Sequence, residues 1–109
     1  MAADTVAGRT RTLQSAILIA AVGSTVNTLS KEMVVQASVS GTGALTASIS
    51  IYGNTANSNS GGVLLGTISL SGTTLATDGF SICAPWPYIY SDTTALTGTG
   101  ASVTVLLGQ

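Results

Sequence analysis

The sequence predicts an all-β fold, a single β-sandwich whose strand count also suits a jelly roll, and three observations lead there. Apolar residues recur with a period of two, as on half-buried strands. The polar remainder is 17 Thr and 14 Ser rather than the Lys and Glu that favour helices. Gly-rich stretches punctuate the chain every ten residues or so, the spacing of strands in sandwiches and barrels. At 109 residues the chain fits one domain.

Residues 1–12 hold Asp4, Arg9 and Arg11 among small residues with little apolar pattern, and read as a flexible N-terminal arm. The domain proper is placed at 13–109. Residues 16–22, Ala-Ile-Leu-Ile-Ala-Ala-Val, form an apolar run read as a strand buried on both faces. The arginines ahead of it faintly imitate a secretory signal, but Asp4 and Gln14 interrupt that pattern. No stretch nears the roughly 20 apolar residues of a membrane-spanning helix.

From Met33 the alternation is plain, with Met33, Val35, Ala37 and Val39 on one face and Gln36, Ser38 and Ser40 on the other. Gly41-Thr42-Gly43 reads as a turn, followed by a partner strand with Leu45, Ala47, Ile49 and Ile51 inward. Residues 53–62 are turn formers without charge, long for a hairpin connection and read as an exposed loop tip that could make contacts. Residues 63–70 make the next strand and 72–77 a connection. Residues 79–83 form another short strand with Phe80 and Ile82 on the buried face. Pro85 and Pro87, which lack amide donors, place 84–87 at an edge or corner. Ala101, Val103, Val105 and Leu107 alternate along a closing strand. The total is seven or eight short strands.

Charge is scarce. No Asp, Glu, Lys, Arg or His occurs from residue 33 to 77, or from 93 to 109. A soluble monomer normally covers itself with charge, so much of this surface is expected to lie against other protein. Only Arg9, Arg11 and Lys31 are basic, too few to form a phosphate-binding stripe, so nucleic acid is not an expected partner. No membrane partner is expected either.

The inventory also speaks against an enzyme. There is no His, and the carboxylates Asp4, Glu32, Asp78 and Asp92 include two, Asp78 and Asp92, that read as turn formers rather than a glycosidase pair. Gly41-Thr42-Gly43 lacks the lysine of a phosphate-binding loop. The lone Cys83 reads as a buried small residue, and no metal or cofactor is expected. Trp86, Tyr88 and Tyr90, at every second position, would line one face of an extended segment and could stack on sugar rings. The plainer reading makes Trp86 a plug at the end of the sandwich and the tyrosines interface residues.

Asp78-Gly79-Phe80, Ala84-Pro85-Trp86, the aromatic Tyr88-Ile89-Tyr90, Thr97-Gly98-Thr99-Gly100-Ala101 and Val103-Thr104-Val105 follow one another through the C-terminal half. In this succession the chain resembles small virion proteins of tailed bacteriophages, and the likeness extends more loosely to residues 33–52. The resemblance implies a head decoration or cement protein, a compact β-sandwich on the outer surface of the capsid. It implies a dimer or trimer that clamps neighbouring major capsid subunits and carries no catalytic residues. Arg9 and Arg11 would reach onto the shell, with Trp86, Tyr88 and Tyr90 as apolar anchors. The other expectations are a carbohydrate-binding or head-fibre module for host attachment, and a small tail or neck component.

Overall fold

The computed structural model describes residues 10–28 and 32–108, and among them every regular element is a strand. In chain order these are β1 (Thr10–Ile17), β2 (Ala21–Val22), β3 (Val26–Asn27), β4 (Met33–Asn54), β5 (Val63–Ile82) and β6 (Tyr88–Gly108). All pairings are antiparallel, and they join one sheet in the order β1-β6-β4-β5, with β2 and β3 also on β6.

Three of these strands are far longer than the short strands the sequence suggests. Straight, the 22 residues of β4 would span about 73 Å, yet the largest dimension of the molecule is 39 Å. Each long strand therefore bends. The bends share a row across the sheet, where register slips at Ser40/Ala44 against β5 and at Ser40/Thr42 and Thr42/Thr46 against β6. Left-handed backbone concentrates in that row, at Gly43, Thr74, Gly98 and Gly100.

Bending brings the two halves of the sheet face to face. A methyl group placed on Gly66 would lie 2.8 Å from Cζ of Phe80, fourteen positions along the same strand. In a straight strand those residues would stand about 46 Å apart. One half contains β1 with residues 101–108, 33–40 and 75–82, side by side in that order. The other contains β2 and β3 with residues 88–97, 44–54 and 63–73.

The inward parity of β4 survives its bend, so Met33, Val35, Ala37 and Val39 meet the same core as Leu45, Ala47, Ile49 and Ile51. Ile89, Val103, Val105 and Leu107 of β6 and Ile68, Leu70 and Ile82 of β5 complete it, with Phe80 packed at its margin. One polar group crosses the core. Gln14 accepts from the hydroxyls of Ser91 and Thr93, both at 2.8 Å, and its amide donates to the Ala21 carbonyl at 2.9 Å. Among the described residues no buried side-chain nitrogen or oxygen lacks a partner.

Several expectations are corrected here. Gly41-Thr42-Gly43 and residues 72–77 bend strands instead of ending them, because on either side of the bend β4 stays paired with both β5 and β6, and β5 stays paired with β4. The strand placed at 16–22 stops at Ile17. Ala16 turns the chain with φ 47°, and Leu18 and Ile19 are 70% and 73% exposed, not buried. The segment read as an arm already forms strand from Thr10, which pairs with Gly108, while residues 1–9 lie outside the described residues. A strand at a sheet edge needs backbone partners, not an apolar pattern, so its sequence looks featureless. Asp78 and Asp92 sit within β5 and β6 rather than in turns, and Cys83, just past β5, is exposed.

Thr74 carries the strain of the β5 bend. At φ 68° its β-branched side chain occupies a region such residues avoid. Thr74→Asn, which tolerates that conformation, is expected to raise unfolding stability by about 1 kcal/mol in urea titration.

Candidate functional site

The aromatic triplet is split by the structure. β6 begins at Tyr88, so Trp86 lies in the connection after β5, where the Thr28 hydroxyl and amide hold the Trp86 and Pro87 carbonyls. Its ring covers Gly53, whose added methyl would stand 2.5 Å from Cδ2, and it packs on the core margin. Trp86 thus closes one end of the molecule from the inner side. Outside it, Thr55, Ala84, Pro85, Trp86 and Pro87 line a shallow apolar depression.

Tyr90 points the other way. It stacks on Tyr52 of β4, ring centroids 5.1 Å apart at 11°, on the outer face of the half containing 44–54. Its hydroxyl accepts from the Gly62 amide at 3.1 Å, and only 3% of it is exposed. Tyr88 is half-buried at the start of β6, opposite Asn54 and Asn27. Tyr88 and Tyr90, two apart on β6, keep a common outer face, but Trp86 does not share it, because the Pro85-Trp86-Pro87 corner leaves the strand path before alternation begins. Truncating the plug, Trp86→Ala, is expected to cost about 2–3 kcal/mol in the denaturation midpoint. A sugar-stacking tryptophan would instead leave stability unchanged.

Arg11 is exposed on β1, and its guanidinium donates to the Asn27 carbonyl at 3.3 Å. Since Asn27 pairs with Tyr88, the fold brings Arg11 and Tyr88 to either side of β3. Arg9 lies outside the described residues. The loop after β4 is braced rather than loose. Asn54 donates to the Ser58 and Ser60 carbonyls and accepts from the Ala56 amide, while Asn59 reaches the Gly23 carbonyl and the Thr25 hydroxyl reaches Asn57. These amides were visible as turn formers; their bonds to residues 23–25, thirty positions earlier in the chain, were not.

The broadest feature is a face that residue-by-residue inspection missed. On the outside of the half containing β1, the outward positions of β4, β5 and β6 are Val34, Gln36, Ser38, Ser40, Leu75, Thr77, Gly79, Ser81, Ser102, Thr104, Leu106 and Gly108. None carries a charge, and Val34 is 55% exposed. The signal was the long uncharged stretch, but only the pairing register shows that three separate segments share one plane. Such a face holds no ion to desolvate, so drying it costs little wherever its hydroxyls and the Gln36 amide find new hydrogen-bond partners.

Among the described residues, no three metal-ligating side chains cluster, and no helix is long and apolar enough to cross a membrane. Asp78 and Asp92 lie in opposite halves of the sheet, Asp78 across from Ala37 and Asp92 across from Ser50. The Asp78 carboxylate is engaged by the Gly79 amide at 2.8 Å. Compared with known proteins, the chain matches no family model, no curated protein and no solved structure.

Proposed function

We propose that this chain is a non-enzymatic bacteriophage head decoration protein, bound to the outside of the assembled capsid and bridging major capsid subunits. The uncharged outer face around Val34, Ser38, Thr104 and Leu106 carries the reading. A hydroxyl-rich and partly apolar sheet face is suited to lie against other protein, where hydrogen bonds replace water and no charge must be dried. The fold is read as a jelly roll. Cut at the bends, its strands make eight segments, ordered first-eighth-third-sixth in one half and second-seventh-fourth-fifth in the other, as two interleaved Greek keys require.

Each bound copy would favour the assembled shell by its preference for the lattice over separated subunits, and the gain would multiply over many identical sites. Arg11 and Tyr88, brought to one end beside Asn27, would add rim contacts. The glycan-binding alternative is weaker on the geometry, since Trp86 and Tyr90 face apart and Tyr90 is covered.

Co-sedimentation of the purified chain with expanded, undecorated heads of the phage that encodes it tests the proposal. Saturation at a lattice-related number of copies, together with greater heat resistance of the heads, is expected. No binding to the shell would overturn it. Val34→Lys places a charge on the middle strand of the face, and should abolish binding while leaving the circular dichroism spectrum unchanged.

A further inference from the structure

The two edges of the sheet differ. One is broken into three pieces, β1, β2 and β3, of eight, two and two residues. Short, interrupted edge strands are a usual protection against unwanted pairing. The other edge is β5 alone, 20 continuous residues, and among the described residues it pairs only with β4. Its outer backbone donors and acceptors therefore form an open template along both halves of the sheet.

Nothing in the side chains blunts that template. β5 has no Lys, Arg, Glu or Pro, and its single charge, Asp78, is turned back onto the Gly79 amide. Val63, Leu64 and Leu75 along it are 54%, 54% and 61% exposed. A long, uncharged and partly apolar edge pairs readily with another strand.

The shape of this edge selects its partner. β5 bends near Thr74, so residues 63–73 border one half of the sheet and 75–82 the other. A straight strand from another protein could follow only one arm. A second copy of β5 has the same bend, and a two-fold axis parallel to the strands sets residues 63–73 of each copy against 75–82 of the other. Because the arms of a folded-back strand run in opposite senses, both pairings come out antiparallel. We infer that two copies of this chain join through β5, edge to edge, so that each half-sheet continues across the two-fold from one protomer into the next. The interface is isologous, and the inference does not depend on the capsid reading.

Sedimentation velocity of the purified chain alone tests it. The expected mass is twice the 10.8 kDa of the chain. The double variant Ser69→Lys/Thr77→Lys puts a cation on the exposed outer side of each arm, where like charges would oppose one another across the axis. It should sediment as a folded monomer. An unmodified chain that stays monomeric, or forms a trimer, overturns the inference, as does a folded variant that remains dimeric. If the variant fails to fold, amide hydrogen exchange on the unmodified chain decides. Protection within 63–82 should rise with protein concentration, and concentration-independent exchange there would refute edge pairing.

Discussion

Gln14→Leu is expected to lower unfolding stability by about 3–5 kcal/mol. Gln14 is 5% exposed and sits on β1 opposite Val105, while the hydroxyls it binds, Ser91 and Thr93, belong to the facing half of β6. Its side chain therefore ties the two halves of the sheet together through the core. Leucine fills a similar volume but leaves two buried hydroxyls and the Ala21 carbonyl without their partner, each costing about 1–3 kcal/mol before relaxation. Replacing the whole set with apolar groups removes the unmet demand. The triple variant Gln14→Leu/Ser91→Ala/Thr93→Val should accordingly be more stable than Gln14→Leu in urea or thermal unfolding. A triple variant less stable than the single one would show that the hydroxyls are not what makes Gln14 matter.

Gly98→Ala should cost about 3–4 kcal/mol, for two separable reasons. At φ 132° Gly98 holds a backbone conformation that side chains rarely adopt. In addition, a methyl group there would press on Leu45 Cδ2 and stand 3.1 Å from the Ala44 carbonyl. Gly100, two residues on, supplies the control, since it has φ 63° with nothing within 4 Å of an added methyl. Gly100→Ala should cost only about 1–2 kcal/mol. The difference between the two variants in calorimetric unfolding measures the close approach at Leu45 together with the greater backbone strain of Gly98 over Gly100.

How legible the fold was depends on which physical signal each residue emits. Residues 33–39, 45–51 and 101–107 were readable because burial of one strand face writes itself as alternation, and the structure keeps each of those faces inward. The bends were mistaken for turns because glycine supplies the same conformational freedom to both. Only the partners across the sheet distinguish a strand that ends at Gly41 from one that continues past Gly43. Gln14 registered only as a break in a signal-like pattern, since its three bonds reach Ala21, Ser91 and Thr93, and two of those lie more than seventy residues away. The aromatic triplet misled for the opposite reason. Spacing of two implies a common face only inside a strand, and Trp86 lies before β6 starts. Of the candidate residues, Arg11 and Tyr88 do come together, through a β3 of two residues that has no sequence signature of its own.

The pairing order also sets when this protein can fold during its synthesis. β1, β2 and β3 take their backbone partners from β6, the last of the six strands in chain order, and β4 finds one of its two neighbours there. Until β6 emerges, the nascent chain can form only the ribbon of β4 and β5, with its apolar side bare to water. Closure therefore waits for β6 and is dominated by long-range contacts, which are slow to form and expose the chain to aggregation in the interval. A polypeptide built this way would draw on chaperone capacity in proportion to the number of copies a cell makes at once.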